Sequence, residues 1–203
     1  MSSAAAPRTH THDATPTTRH PSQRPTSLSL RAPTREDGVA IHRLIAACPP
    51  LDTNSMYCNL LQCDHFADTC VIAERFGEPV GWISGYVPPG EPNTLFVWQV
   101  AVAEGARGLG LGRRMLGHLL NRPACAEVSH MKTTITADNQ ASWGLFRRFA
   151  ERLGAPLSHT AHFKREAHFG GQHATEHMVT IGAFDVAALA DAADRTQDNR
   201  RAA

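Results

Sequence analysis

Residues 98–114, Trp-Gln-Val-Ala-Val-Ala-Glu-Gly-Ala-Arg-Gly-Leu-Gly-Leu-Gly-Arg-Arg, constrain the fold of this chain more than any other stretch. The first part is apolar and β-branched, as a buried strand requires. A short glycine-containing turn follows, and residues 109–120 then carry Leu111, Met115, Leu116 and Leu119 at helical spacing. A strand, a glycine loop and a helix start in succession make an anion site. The first backbone N–H groups of the helix have no partner, its dipole adds positive potential, and glycines let a bulky phosphate approach. Arg107 and Arg113 add full charges for phosphate oxygens.

Gly108, Gly110 and Gly112 fall at every second position, which satisfies neither the dinucleotide pattern nor the P-loop. What fits is Arg-x-x-Gly-x-Gly at Arg107, Gly110 and Gly112, directly after Val-Ala-Val; the bland alternative is a turn using glycines only to reverse the chain. A second segment, residues 136–146, runs Thr-Ala-Asp-Asn-Gln-Ala-Ser-Trp-Gly-Leu-Phe. Together the two resemble the acyl-coenzyme A signature and the Asn-x-x-Ala/Ser…Leu-Tyr segment of the GCN5-related N-acetyltransferases. The resemblance spans residues 28–184 and implies an α+β fold, a mixed central sheet flanked by helices. It also implies acetyl-coenzyme A as cosubstrate. The contacts carried over are the backbones of Val100 and Val102, the loop residues Arg107, Gly108, Leu109, Gly110, Leu111, Gly112 and Arg113, and Asn139.

Composition narrows the partners. Twenty Lys and Arg against 19 Asp and Glu leave no global field for nucleic acid or anionic lipid. No apolar run reaches membrane-spanning length, and no hydrophobic signal segment opens the sequence, so a cytoplasmic protein is expected. The five cysteines, Cys48, Cys58, Cys63, Cys70 and Cys125, are odd in number and lack metal-ligand spacing, which reads as reduced thiols. Residues 1–26 are rich in Thr, Pro, Ser and His and nearly free of large apolar side chains, so a disordered tail is expected, with His10, His12 and His20 solvated rather than metal-bound. A single domain is expected over residues 27–185, and a flexible tail over 186–203.

Within the domain, alternation suggests a strand at 27–32. Residues 35–48 carry Val39, Ile41, Leu44 and Ile45 at helical spacing, ended by Pro49-Pro50. A second helix is expected over 52–66 with Met56, Leu60 and Leu61 inward. Strands at 69–74 and 80–87 form a hairpin around Phe76-Gly77-Glu78-Pro79, and 94–102 is the central strand. After the loop helix come a strand at 128–137, a helix at 140–153, and closing strands at 156–164 and 177–184. The resemblance adds that the central strand parts from its parallel neighbour after a bulge, opening a cleft for the pantetheine arm.

Acetylating an amine requires removing its proton, since an alkyl ammonium of pKa roughly 10 has no lone pair at neutral pH. It also requires stabilising an oxyanion and neutralising a thiolate. Many family members use a tyrosine for the last role, and Phe146 stands where it would be, so acid–base work must lie elsewhere. Residues 50–58, 94–102 and 170–176 resemble the branch of the family that acetylates the γ-amine of L-2,4-diaminobutyrate. By that resemblance Asp52, Tyr57, Trp98, His173 and Glu176 line the amino-acid pocket, with Glu176 and His173 as catalytic candidates, and a homodimer is expected. The chemistry is sensible: two ammonium groups call for Asp52 and Glu176, and Trp98 offers an apolar wall with a cation–π face. From the residues alone Asp52 can equally cap the second helix, and Tyr57 and Trp98, at apolar-periodic positions, read as core. Glu176 fits either an anchor for an ammonium, which would lower its pKa, or a base.

His173 to His177 also spells the inverted zinc motif H-x-x-E-H. That motif needs a helix, whereas two glycines before it and Met-Val-Thr-Ile after it read as loop into strand. Its histidines would then lie about 13 Å apart at roughly 3.3 Å per residue, so no metal is expected. Two other readings stand beside the leading one: an acetyltransferase of peptide amines, and an acyl-coenzyme A-binding module without catalysis.

Overall fold

Strand by strand, the sheet shows the alternation its sequence carries. In β5 (His130–Thr136) Met131, Thr133 and Ile135 are buried while their neighbours are half-buried, the mark of a strand with one covered face. The computed structural model describes residues 28–186. The tail expected at 1–26 lies outside it, as does the one expected at 186–203 except for Val186, which packs against the core. Seven strands form one sheet in the order β1-β2-β3-β4-β5-β7-β6: β1 (Ser29–Arg31), β2 (Val71–Arg75), β3 (Glu78–Tyr86), β4 (Thr94–Val102), β5, β6 (Leu157–Phe163) and β7 (Glu176–Gly182). All neighbours are antiparallel except β4 and β5.

Two helices cover one face. Met115, Leu116 and Leu119 of α3 (Leu111–Leu120) and Phe146, Phe149 and Leu153 of α4 (Gln140–Leu153) pack with Ile83, Leu95, Val97, Met131, Val179 and Ile181. On the other face Ile41, Leu44 and Ile45 of α1 (Gly38–Ala46) cover Ile72, Trp82 and Ala101. Val39, expected inward, is 44% exposed. The α1 segment opens with a 3-10 turn, Arg35–Asp37, held to β1 and β2 by Arg31, which pairs with Asp37 at 2.8 Å and Glu74 at 2.7 Å.

α2 (Met56–Asp64) departs most from expectation. Its buried residues are Asn59, Gln62 and Cys63, while Met56, Leu60 and Leu61 are only half-buried. The polar inner face is bonded in part: His42 Nδ1 and Asn59 Oδ1 are 2.8 Å apart and Asn59 Nδ2 donates to Gln62 Oε1 at 3.2 Å, while Gln62 Nε2 is buried without a partner. The helix is capped by Ser55, whose Oγ accepts from Cys58 N–H at 3.1 Å, so Asp52 is not its cap. A five-residue helix, α5 (Arg165–Phe169), stands between β6 and β7 and is too short to leave a periodic signal. The β2–β3 turn is only Phe76 and Gly77, both at positive φ (57° and 81°), so Glu78 and Pro79 already belong to β3.

The decisive irregularity is in β4. It pairs with β5 only through Thr94, Leu95 and Phe96, and beyond Phe96 the two strands separate. At the same level the β3–β4 register passes from Gly85↔Val97 to Ser84↔Gln99, leaving Trp98 as an unpaired bulge residue. Gly85 permits this, because a Cβ there would sit 2.8 Å from the Phe96 carbonyl oxygen and 3.2 Å from that of Thr69. Gly85→Ala must therefore displace backbone at the bulge. We expect a loss of about 1–3 kcal/mol, read as a lower thermal midpoint. An unchanged midpoint would show that the bulge does not depend on this close approach.

Candidate active site

The gap between β4 and β5 is the mouth of a cleft of about 560 Å³. Val100 and Val102 line it from β4, Arg107, Gly108, Gly110, Leu111, Gly112 and Arg113 from the loop and first turn of α3, and Asn139, Ser142, Leu145 and Arg148 from the start of α4. Gly108 and Gly110 have φ of 75° and 71°, a conformation that favours glycine. The first helical bond of α3 runs from Arg114 N–H to the Gly110 carbonyl at 3.1 Å, so the N–H groups of Leu111, Gly112 and Arg113 precede the hydrogen-bonded ladder. The Arg113 guanidinium arches over Gly110, its Nη2 3.2 Å from where a Cβ would be. Gly112 has a second duty: a Cβ there would come within 3.1 Å of Leu145, so it lets α3 and α4 approach.

Nine of the ten residues expected to meet the cofactor thus line one cleft, while Leu109 is 70% exposed and its side chain lies outside the lining. Two have partners already. Arg107 Nε donates to the Val102 carbonyl at 3.0 Å, and Asn139 Oδ1 caps α4 by accepting from Ser142 N–H at 3.0 Å, which leaves Asn139 Nδ2 for a ligand. Cys48, Pro49, Pro50 and Leu51 complete the opposite wall. Cys48, Pro49 and Arg148 lie outside every segment the sequence singled out for function, while Pro50, Leu51 and Ser142 fall within such segments without having been assigned to the cofactor. Phe146 is buried in the core, so no hydroxyl reaches the cleft from that position.

Around the bulge a second cavity, of about 770 Å³, is lined by Trp98, Tyr86, Phe96, Lys132, Thr134, Met178 and their neighbours. Trp98 is 46% and Tyr57 69% exposed, so neither is core. Tyr57 stands apart on the first turn of α2, without a hydrogen bond or ring contact to another described residue. Asp52 forms a local turn, its Oδ1 accepting from Asn54 N–H at 3.0 Å, and its carbonyl accepts from Gln99 Nε2 at 2.6 Å.

Glu176 opens β7 opposite Thr136, on the same face as Met178 and Thr180. His173, three residues earlier, does reach it. Gly170 and Gly171, at φ of 56° and 82°, turn the chain so that His173 Nδ1 lies 4.0 Å from Glu176 Oε1. At that distance the two make no hydrogen bond. Nδ1 instead donates to the Ala174 carbonyl at 2.8 Å; a carbonyl only accepts, so this nitrogen carries the proton and Nε2 is left to meet a ligand. Burial pushes the Glu176 carboxyl above its ordinary range, with His173 and the Thr134 hydroxyl pulling partly back. In the protein alone the direction is therefore upward, opposite to the lowering that a neighbouring ammonium would impose. Glu176 Oε2 is buried without a partner. His177 points to the other face, its ring 5.7 Å from that of His159, so the three residues of H-x-x-E-H do not converge.

Residues 39–150 match the Acetyltransferase (GNAT) family. The chain belongs to that family. Its relatives include the L-2,4-diaminobutyric acid acetyltransferase of Methylotuvimicrobium alcaliphilum, 50% identical over 157 residues, covering 77% of this chain and 91% of the relative. The enzyme of the same name from Halomonas elongata is 51% identical over 158 residues, covering 77% and 82%. Among solved structures, diaminobutyrate acetyltransferase EctA from Paenibacillus lautus, in complex with L-2,4-diaminobutyric acid and coenzyme A, superposes with a TM-score of 0.76 at 41% identity, covering 79% of this chain and 97% of that one. The fold and the use of acetyl-coenzyme A are those of the family. No helix among the described residues is long and apolar enough to cross a membrane, and no cluster of three or more His, Cys, Asp or Glu there is placed to hold a metal.

Two outcomes follow from this geometry. Arg113→Ala removes a cation from the α3 end of the cleft and should weaken coenzyme A binding about tenfold by calorimetry while leaving the thermal midpoint unchanged. Unaltered affinity would contradict the placement of the phosphates there. For Glu176 the sign is set by its raised pKa. Relative to a free carboxyl its contribution to stability is complete below the unfolded value of about 4.3 and is lost as pH rises through the folded one. Glu176→Gln should therefore hold or raise the thermal midpoint at pH 7–8 and give no such gain at pH 4. A fall at neutral pH would contradict it.

Proposed function

We propose that the protein transfers the acetyl group of acetyl-coenzyme A to the γ-amine of L-2,4-diaminobutyrate, giving N-γ-acetyl-diaminobutyrate for ectoine synthesis. The observation that carries this is identity at about half of all aligned positions with diaminobutyric acid acetyltransferases along nearly their whole length. The residues fit the chemistry. A thioester bound in the cleft supplies the acyl group. The α3 N-terminus with Arg113, and Asn139 Nδ2, suit the anionic and amide parts of the cofactor, and the edge of β4 that β5 leaves open at Val100 and Val102, where Arg107 and Cys48 already hold the Val102 carbonyl, suits its extended arm.

The substrate's two cations meet complementary groups. Asp52 and Glu176 face ammonium groups, Trp98 and Tyr57 supply aromatic faces, and His173 stands beside Glu176 with Nε2 left for the substrate. Glu176 accepts the amine proton. Its burial and free Oε2 favour the neutral acid that results, which makes it a better base than an exposed carboxylate. The reading extends to a cytoplasmic homodimer. It is supported by five free thiols and by the exposed Phe66 and Phe163, the latter on the edge strand β6.

Thiol release by the purified protein tests the proposal. L-2,4-diaminobutyrate should be the preferred acceptor, with ornithine and 2,3-diaminopropionate roughly 10- to 200-fold poorer in kcat/KM for one methylene of misplacement. Equal rates on lysine peptides would contradict it. Glu176→Gln should lose most turnover at pH 7 and regain part of it as pH approaches the amine pKa, roughly 10, where solvent removes the proton. Wild-type kinetics in this variant would reject Glu176 as the base. Light scattering should give twice the 22.1 kDa chain mass.

A further inference from the structure

The segment between α1 and α2 is tied to β4 at both ends. Cys48 Sγ donates to the Val102 carbonyl at 3.4 Å, and Gln99 Nε2 donates to the Asp52 carbonyl at 2.6 Å. Between these ties the chain crosses β4 as a strap whose first half walls the cofactor cleft. Its second half is a small turn: Asp52 Oδ1 accepts from Asn54 N–H at 3.0 Å, Asn54 Nδ2 donates back to the Asp52 carbonyl at 3.3 Å, and Asn54 is left-handed at φ 56°. These local bonds shape the turn without placing it. Among the described residues the Gln99 amide makes the only side-chain hydrogen bond joining residues 52–55 to the sheet. It does so beside the bulge residue Trp98, where β4 has already left β5.

Gln99 is an expensive choice for that position. It is 8% exposed, its Oε1 is buried without a partner, and so is the Oγ of Ser84 directly across the ladder. An amide buried with half its capacity unmet is destabilising relative to an apolar side chain of the same size, which would fill the space as well. What an apolar residue cannot do is donate to the Asp52 carbonyl. We infer that Gln99 is a positioning residue for the amine substrate, acting through Asp52: its amide sets where the strap presents the Asp52 carboxylate relative to Trp98 and the cleft. This rests on the functional reading above, in which Asp52 meets an ammonium.

A double-mutant cycle tests it, with KM for diaminobutyrate, kcat and the coenzyme A dissociation constant measured for wild type, Asp52→Ala, Gln99→Met and the double variant. Gln99→Met should raise KM for diaminobutyrate about tenfold, the loss of one buried hydrogen bond, with kcat and coenzyme A affinity within about twofold of wild type. Asp52→Ala should raise KM at least as much, and the double variant should be no worse than Asp52→Ala, because both act on one group. A purely structural Gln99 would instead multiply the two losses, and that result, or an unchanged KM in Gln99→Met, overturns the inference alone. If Gln99→Met does not fold, Gln99→Asn, one methylene short of the carbonyl, must show the same KM rise and the same dependence on Asp52, or the inference falls. Wild-type KM in Asp52→Ala, or no turnover of diaminobutyrate by the wild type, overturns the functional reading and this inference with it.

Discussion

Everything in the site follows from the parting of two parallel strands. A parallel pair held by slanted, evenly spaced bonds has no internal reason to stop after three residues. Here β4 and β5 stop at Phe96 and Lys132 because β4 bends at Trp98, and it bends because Gly85 on β3 leaves room for two residues where one would pair. The separation leaves backbone groups of β4 without a strand beside them, and such groups need a partner. An extended ligand running between the strands supplies one. The fold thus turns an incomplete ladder into a binding surface without any side chain specific to the ligand.

The anionic and amine ends of the site rest on opposite physics. The α3 end offers unpaired N–H groups, left-handed glycines and an arginine in the open, which under the proposed reading meet the ligand where charges stay solvated. At the amine end the polar groups are withdrawn from water. Glu176 is shifted upward by burial, and Gln99 and Ser84 carry polar atoms without protein partners on the face that α1 and α2 cover. Such groups lower stability, and Gln99 and Ser84 face each other across the ladder next to the bulge.

The parts legible in the sequence were those with period or punctuation. The 14-residue amphipathic α4 was readable to its ends, since Asn139 and Gly154 cap it. The Arg107–Gly112 loop was readable because its glycines take a backbone conformation other residues avoid. The inner face of α2 was not, since a rule that puts apolar residues inside cannot foresee Asn59 bonded to both His42 and Gln62 at the interface with α1. Nor was the wall at 48–51 or the tie from Gln99 to Asp52. These are contacts between residues 47 positions apart that carry no local signal. His173 and Glu176 lay between: their chemistry was visible, and their approach depended on two glycines turning the chain.

The account's central claim is that this site delivers an acetyl group to one particular nitrogen of a diamino acid. Nuclear magnetic resonance of the product formed from carbonyl-13C acetyl-coenzyme A and L-2,4-diaminobutyrate tests it most directly, because the labelled carbonyl couples to the protons of whichever carbon bears the new amide. The account predicts correlation to the γ-methylene protons. Correlation to the α-proton, or label incorporated at both nitrogens in comparable amounts, would contradict it.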